Sequence, residues 1–575
     1  MQKLLLGNEA VARGFYEAGV TVVSSYPGTP STEITQYSAL YDEIYTEWSP
    51  NEKVSAEVAI GASIAGARAA TAMKHVGLNV ASDPLYTAAY TGVNGGLVVC
   101  VADDPGIHSS QNEQDSRGHA KTSKTPMLEP SDSSECLSFT KLGFELSEKF
   151  DTPVFIRLST RISHSRGLCD ISERIEFKNE YKKNMPKFVA MPNTARPRHE
   201  FVEQRMRELT EWAETCGINR VEMNNAKIGV ITSGVAYQYA KEALGENASY
   251  LKLGMVNPLP VRLIKDFASK ADVLYVIEEL DDVIETHCRK NGVEVIGKEL
   301  FSFCGEIRQD VIADKILNKK PEIMSLQEEI PARPPVMCAG CSHRGLFWAL
   351  KKTGCVISGD IGCYTLSAGP PLSAMDTCIC MGASVSAAHG FHKAEGENGK
   401  KVIGVIGDST FAHSGITGLI NAVYNGAGFV TVIADNATTG MTGHQDNPTT
   451  GKTLKKEAAP VLDLVALCKS IGVPRVRVVD PNNLSATLAA LKEEVESGET
   501  SVVIARRPCV LLKDTVLGDS LMVDAEACTF CKVCFQIGCP AIISADGKAV
   551  IDENQCVGCG QCTGLCRFQA IKGRA

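Results

Sequence analysis

Eight cysteines close to the C-terminus limit this chain more than any other feature. They stand in two runs, Cys528-x2-Cys531-x2-Cys534-x4-Cys539-Pro540 and Cys556-x2-Cys559-x2-Cys562-x3-Cys566. Thiolates at this pitch reach three corners of one iron–sulfur cube, and the fourth cysteine of each run crosses to the other cube when two runs share one small fold. Cluster 1 then takes Cys528, Cys531, Cys534 and Cys566, and cluster 2 takes Cys556, Cys559, Cys562 and Cys539. A zinc site needs only four ligands and no triple run. Disulfides need an oxidising compartment. The spacing favours two [4Fe-4S] clusters over both. The extra residue before Cys539 alters the shape of the first loop more than its ligation. Clusters only move electrons, so another part of the 575 residues must supply or consume them.

A chain of this length holds about three or four domains, because single cores rarely grow past ~250–300 residues. With 44% hydrophobic and 22% charged residues it reads as globular, and a net charge of −9 argues against a nucleic-acid surface. The fourteen cysteines outside the tail are scattered, as reduced thiols of a cytoplasmic protein would be. Met1 to Phe15 has no basic segment followed by an apolar stretch, so no signal peptide is expected. No apolar run approaches the ~20 residues of a membrane span.

Residues 1–190 alternate strand, loop and helix. A short strand at 20–25 runs into the loop Tyr26-Pro-Gly-Thr29-Pro-Ser31, and Leu97 to Val101 and Val154 to Leu158 are further strands. In such sheets the sites lie in loops at the carboxyl ends of strands. Tyr26 to Ser31 is one such loop; the polar stretch from Gly106 to Arg117, carrying His108, is another. Between them Glu52 to Arg68 is a helix of small residues, in which Glu57 stands among Ala, Val and Ile. A carboxyl buried there would have a raised pKa; the plain alternative is a surface residue at the helix edge. Residues 191–225 have helical spacing and read as a linker. The block 226–330 carries two strands of a small parallel α/β domain and no catalytic set, and Pro331 to Pro335 marks a boundary.

In block 331–515 an apolar strand ends in Gly407-Asp408-Ser409, and Val430 to Asp435 ends in Asn436. Asp and Asn at neighbouring strand ends supply hard oxygens to Mg2+, which prefers a site shared with phosphates. Glycines let backbone N–H groups approach a diphosphate. Gly-Asp followed at this distance by Asn is the diphosphate pattern of thiamine diphosphate enzymes.

With these motifs the chain resembles the large (alpha) subunit family of indolepyruvate:ferredoxin oxidoreductases, within the 2-oxoacid:ferredoxin oxidoreductases. The resemblance rests on Tyr26 to Ser31, Glu57 in its helix, His108 to Arg117, Cys338-Ala-Gly-Cys341-Ser-His343-Arg344, Gly359 to Tyr364, Gly407 to Thr410, Asn436 to Gln445 and the cysteine tail. It implies a multidomain α/β fold: a pyrimidine-type thiamine diphosphate domain at 1–190, the helical linker, a transketolase-C-terminal-like domain at 226–330, a diphosphate-type domain at 331–515 and a ferredoxin-like α+β module with two [4Fe-4S] clusters at 516–575.

The resemblance also implies roles. Asp408, Asn436 and the Thr438 carbonyl would hold Mg2+, with Gly362, Cys363, Gly407 and Ser409 along the cofactor, and Glu57 would bond N1′ of the aminopyrimidine. Thr29 and Arg117 would contact the substrate carboxylate, with His108 nearby. The reaction would decarboxylate an aryl 2-oxo acid through the thiamine ylid, pass two electrons singly to the clusters and ferredoxin, and hand the acyl group to coenzyme A. Pyruvate, phenylpyruvate or a branched-chain acid are alternative substrates. An electron-transfer or assembly subunit with a dead thiamine site is the alternative of another class. A smaller beta subunit and a homodimer of the long chain are the implied partners.

Cys338, Cys341 and Cys363 match three of the four ligands of a further cluster in related beta subunits. The fourth, expected after the thiamine motif, is missing: the next cysteine after Cys380 is Cys468. The three are therefore read as pocket lining, with zinc at Cys338, Cys341 and His343 as the remaining option.

Overall fold

The computed structural model describes residues 1–224, 227–320, 326–396 and 399–573. It divides into two compact units, Met1–Gln327 and Glu328–Ala575.

The first unit is built on a seven-stranded sheet. Its strands are Val22–Ser25 (β1), Tyr45–Trp48 (β2), Ala69–Lys74 (β3), Leu97–Asp103 (β4), Met127–Leu128 (β5) and Val154–Ser159 (β6), joined by a late strand described below. β4 and β6 are buried along their whole length. Parallel strands covered on both faces are mostly apolar, which is why these segments read as hydrophobic runs; the charges they do bury, Asp103 on β4 and Arg157 on β6, pair with each other at 2.7 Å. Two helices matter for the site: Glu52–Ile64 (α1), which follows β2, and His75–Thr91 (α2), which follows β3 directly.

Helix Pro192–Thr215 (α3) leads to a second, four-stranded sheet. Its members are Arg220–Glu222 (β7), Ile228–Ser233 (β8), Ser249–Leu253 (β9) and, later in the chain, Val273–Ile277. One residue after β9 the chain changes sheet: Met255–Asn257 (β10) pairs antiparallel with β5 and completes the first sheet, in the order β10-β5-β6-β4-β3-β1-β2. Gly254 makes the crossing. A Cβ there would lie 2.6 Å from the carbonyl oxygen of Ile218, and its own carbonyl accepts the Glu129 N–H at 2.8 Å. The second sheet, with Val273–Ile277 as β11, runs β11-β8-β9-β7. The middle block is thus sewn into the first sheet through β10.

The second unit carries a six-stranded, wholly parallel sheet of Val356–Gly359 (β12), Thr377–Cys378 (β13), Val402–Gly407 (β14), Val430–Asp435 (β15), Arg475–Val479 (β16) and Ser501–Arg506 (β17). Their order is β13-β12-β14-β15-β17-β16. Helix Ser342–Thr353 (α4) packs Leu346, Phe347 and Leu350 onto this sheet. The tail is two antiparallel ribbons, Leu521–Val523 with Ile571–Gly573 and Ile542–Ala545 with Lys548–Ile551, joined by loops and short 3-10 turns; the cysteines stand mostly in the loops, with Cys534 in the turn Val533–Ile537. Among so few strands the core is small, and buried Cys528, Cys534 and Cys562 take part in it beside Ile537, Ile551 and Leu565.

Candidate functional site

Both large sheets have a switch point, where the chain leaves one strand to the left and the next to the right. Loops at the carboxyl ends diverge there and open a crevice. In the first unit the switch lies between β1 and β3. The Tyr26 to Ser31 loop leaves β1, and Lys74 and His75 leave β3. Gly28 allows the close approach: a Cβ on it would lie 3.2 Å from Cγ of Lys74. Lys74 Nζ donates to the Ser109 carbonyl at 2.9 Å, and the Ser109 hydroxyl donates to the Thr29 carbonyl at 3.4 Å. The two polar loops read from the sequence therefore meet over Lys74. Burial pushes the Lys74 ammonium down to about 8, against the pull of Asp104 and Glu52.

Glu57 does not have the apolar setting expected of it. It lies on the exposed side of α1, paired with Lys53 one turn earlier. The buried carboxyl of this helix is Glu52, 4% exposed. Glu52, Ser55, Ala56, Ala59 and Ser63 form the inward stripe of α1, at the i, i+3, i+4 spacing of a helix face. Glu57 falls off that stripe. Neighbours along the chain were apolar, but a helix turns them to other sides. Gly77 of α2 makes room for the carboxylate: a Cβ there would lie 2.6 Å from Glu52 Oε1.

Arg117 is also displaced from its expected role. It is 1% exposed and locked by Asp115 and Glu278, both at 2.6 Å, and by the carbonyls of Glu279 and Asp281. These partners hold the guanidinium inside the fold. The arginine ties the loop after β4 to the carboxyl end of β11. His108 is exposed and stands 3.3 Å from Glu306, which Arg161 also holds. Thr29 is half-buried beside Lys74.

In the second unit the switch lies between β12 and β14. Gly359 to Cys363 leaves the first strand and Gly407-Asp408-Ser409 the second. Tyr364 bridges them, accepting the Gly407 N–H at 2.9 Å and donating to the Ile361 carbonyl at 3.1 Å. A side chain at Gly362 would meet the Tyr364 ring at 2.5 Å. Asp408 is 2% exposed, and burial, helped by Asp435, pushes its carboxyl up to about 7. It accepts the Ser409 N–H at 2.7 Å and, weakly, the Thr449 hydroxyl at 3.4 Å. Asn436 and Thr438 follow β15 and are both buried. The Asn436 amide lies 3.5 Å from Nε2 of His343, whose imidazole burial pushes down to about 4 and so keeps neutral at pH 7.

The tail cysteines fall into two sets. Cys528, Cys531, Cys534 and Cys566 line one cavity, with Phe530, Phe568 and Ile571 around them. Burial pushes the Cys562 thiol up to about 12, and its like-charged neighbours are Cys559, Cys539 and Cys556. Backbone N–H groups of Leu521 and Ala570 point at the sulfurs of Cys556 and Cys566, at 3.4 and 3.3 Å.

Cys338, Cys341 and Cys363, read as pocket lining, influence one another's thiols, and Cys509 joins them in this. Burial raises the Cys363 thiol, with Cys509 and Cys338 adding to it; Cys341, at about 12, feels Cys338 and Cys363; Cys509 feels Cys338 and Asp408. Cys509 lies further along the chain, just after β17. Its backbone N–H donates to the Asn436 carbonyl at 2.9 Å. The return of β17 beside β15 brings it there, so the clue was the Arg-Arg-Pro-Cys stretch at the end of a strand.

Residues 13–223 match the family described as pyruvate flavodoxin/ferredoxin oxidoreductase, thiamine diP-bdg. Residues 360–505 match thiamine pyrophosphate enzyme, C-terminal TPP binding domain, and residues 549–572 match 4Fe-4S binding domain. The chain is 40% identical over 610 residues to indolepyruvate oxidoreductase subunit IorA of Archaeoglobus fulgidus, covering 99% of this chain and 97% of that one. It is 39% identical over 626 residues to the subunit of the same name from Pyrococcus horikoshii, covering 99% and 96%. The chain belongs to the indolepyruvate oxidoreductase large-subunit family. A solved 2-oxoglutarate:ferredoxin oxidoreductase from Magnetococcus marinus, with 2-oxoglutarate, coenzyme A and succinyl-CoA bound, aligns with 55% of this chain and 65% of its own at 19% identity and a TM-score of 0.47.

As a member of this family the chain is a thiamine-diphosphate-dependent 2-oxoacid:ferredoxin oxidoreductase and carries [4Fe-4S] chemistry. Its residues fit those groups. Asp408 is a buried carboxylate that lacks a basic partner among the described residues, the setting in which a divalent cation restores the charge. The cysteine-lined cavity of the tail has the soft donors an iron–sulfur cube requires. No helix of the described residues is long and apolar enough to cross a membrane.

Proposed function

We propose that this chain decarboxylates an aryl 2-oxo acid, indolepyruvate, passes its electrons to ferredoxin and releases the acyl group as indoleacetyl-coenzyme A. The observation that supports this reading is the second unit's pairing of a buried Asp408 at a strand end, with Cys509 bonded through its N–H to the Asn436 carbonyl, and a cavity lined by Cys528, Cys531, Cys534 and Cys566. The aryl preference comes from the substrate in the relatives' names.

Thiamine diphosphate, when bound, supplies an electron sink for the carboxylate carbon–carbon bond. Asp408, Asn436 and the Thr438 carbonyl would hold its Mg2+, while the Gly362, Cys363, Gly407 and Ser409 stretches cradle the diphosphate. Glu52, in place of Glu57, would hold a proton at N1′ of the aminopyrimidine. Lys74, in place of Arg117, would meet the substrate carboxylate with Thr29, and His108 would sit at the rim.

Cluster 1 would sit on Cys528, Cys531, Cys534 and Cys566, and cluster 2 on Cys539, Cys556, Cys559 and Cys562. A third would sit on Cys338, Cys341, Cys363 and Cys509, next to the cofactor; zinc at Cys338, Cys341 and His343 is disfavoured because His343 faces Asn436. The active assembly would be a homodimer of this chain carrying a smaller beta subunit, in the cytoplasm.

The test is bleaching of the iron–sulfur absorption in the anaerobic complex on adding a 2-oxo acid with coenzyme A. Indolepyruvate should give the highest kcat/KM, ahead of phenylpyruvate and pyruvate. Iron should reach about twelve atoms per chain rather than about eight. Bleaching by pyruvate alone refutes the aryl assignment, and no bleaching by any acid refutes the enzyme reading.

A further inference from the structure

We propose that Arg344 is the positioning residue of the electron relay: its buried positive charge is clamped between the Cys338–Cys341 loop and the Cys539 end of the tail module and raises the reduction potential of both clusters it adjoins. The inference rests on the cluster assignments given above.

Arg344 is 3% exposed on the first turn of α4. Its guanidinium is held by backbone alone. Nε donates to the Cys338 carbonyl at 2.9 Å, Nη2 to the Met337 carbonyl, and Nη1 to the carbonyls of Gly538 and, at 3.4 Å, Ile537. Two of these acceptors belong to the loop carrying Cys338 and Cys341, and two immediately precede Cys539. Among the described residues no carboxylate forms an ion pair with it. The titratable groups that act on it are cysteines instead: Cys539, Cys341, Cys338 and Cys559.

The surroundings keep it in place. Gly538 has φ +68°, and a Cβ there would stand 3.1 Å from Nη1 of Arg344. Gly340 brings the two cysteine loops together, since a Cβ on it would lie 3.6 Å from Cβ of Cys559. Gln561 donates to the Cys341 carbonyl at 3.1 Å and to Asn482 at 2.7 Å, while Asn482 donates to the Cys559 carbonyl at 3.4 Å. The guanidinium is thus fixed at the junction of two ligand sets.

A reduced cluster carries one more negative charge than an oxidised one. A cation that no carboxylate cancels, buried where the dielectric is low, stabilises the reduced form. Electrons arriving singly would therefore be held at this junction rather than returned to the thiamine site. Cluster 1, on the far cysteine set, has other cations beside it: Lys532 in its lining and Lys548, whose Nζ donates to the Cys528 carbonyl at 2.6 Å. An arginine serves better than a lysine because its planar fork reaches carbonyls of both loops at once while staying charged.

The experiment is an EPR-monitored redox titration of the anaerobic complex, wild type against Arg344→Gln and Arg344→Lys, with iron counted in each. Poised at the wild-type midpoint, the reduced-to-oxidised ratio of the clusters on Cys338/Cys341/Cys363/Cys509 and Cys539/Cys556/Cys559/Cys562 should fall about tenfold in Arg344→Gln, equivalent to 59 mV for one electron. The Cys528/Cys531/Cys534/Cys566 cluster should move less than twofold, and Arg344→Lys should recover most of the shift. Arg344→Gln with full iron and unmoved potentials overturns the proposal, and so does Arg344→Lys shifting as far as Arg344→Gln. Loss of iron from both variants overturns it too, because the residue would then be only a brace. If Arg344→Gln alone loses iron, a full-iron Arg344→Lys with near wild-type potentials supports the proposal. Absence of the third cluster from the wild type would defeat the assignment above instead, leaving the Arg344 effect to be read on the Cys539/Cys556/Cys559/Cys562 cluster.

Discussion

Arg117 and Arg344 are both buried, and their surroundings differ in one respect. Arg117 is matched by two carboxylates, Asp115 and Glu278, and the carboxyl of Asp115 is held well below its ordinary range by Arg117 and Arg157. Arg344 has only carbonyl partners. A buried cation with matched anions is spent on architecture, and its removal strands charges. A buried cation without them keeps a field, which acts on whatever lies next to it. In the first unit the neutralised network pins two sheets to one another. In the second, Arg344 and Asp408 are both buried without an ion-pair partner among the described residues.

The contrast can be broken most forcefully at Arg117. Arg117→Met should cost about 3–5 kcal/mol, because Asp115 and Glu278 would remain buried without their partner. Denaturant unfolding measures this; a loss under about 1 kcal/mol would show that the network is not a brace. Next in size is Glu52→Gln, which should lower turnover about a hundredfold or more while iron content and cluster spectra stay as they are. Wild-type turnover in that variant would return the role to another carboxyl.

Lys74 sharpens the comparison from the other side, as a cation made uncomfortable by burial. Its ordinary value is 10.5 and burial brings the folded value to about 8. The unfolded chain therefore holds this proton more tightly, so its contribution to stability is smallest below pH 8 and rises as the pH climbs to about 10.5. Lys74→Met should raise unfolding stability by about 1–3 kcal/mol at pH 7, and the gain should shrink towards pH 10; a pH-independent gain would point to packing instead. The smallest effect belongs to Glu57→Gln. It removes an exposed pair with Lys53, so stability should change by less than about 0.5 kcal/mol and kcat/KM by less than twofold. A tenfold loss of activity would restore Glu57 to the site.

Much of this molecule was legible where chemistry follows local spacing. The two cysteine runs predict a crossed pairing, and Cys566 of the second run lines one cavity with Cys528, Cys531 and Cys534 of the first. Gly407-Asp408 and Asn436 each end an apolar strand, and parallel register places those strands side by side, Gly407 opposite Ala434. The burial of Glu52 is legible too, because the face of α1 repeats every 3.6 residues and sets Glu52 on the inward stripe and Glu57 off it.

The sequence by itself determined the donors: thiols at cluster pitch, an acid and an amide at strand ends, glycines where backbone must come close. Those depend on covalent spacing and on the pitch of one element. Tertiary structure alone decided which charges are cancelled. Cys509 meets Asn436 only because β17 returns beside β15, Arg117 is paired with Glu278 from the far end of the first unit, and Arg344 meets Gly538 from the tail. Coulomb energy depends on distance through space and on the dielectric between groups, and neither is written in the order of residues along a chain.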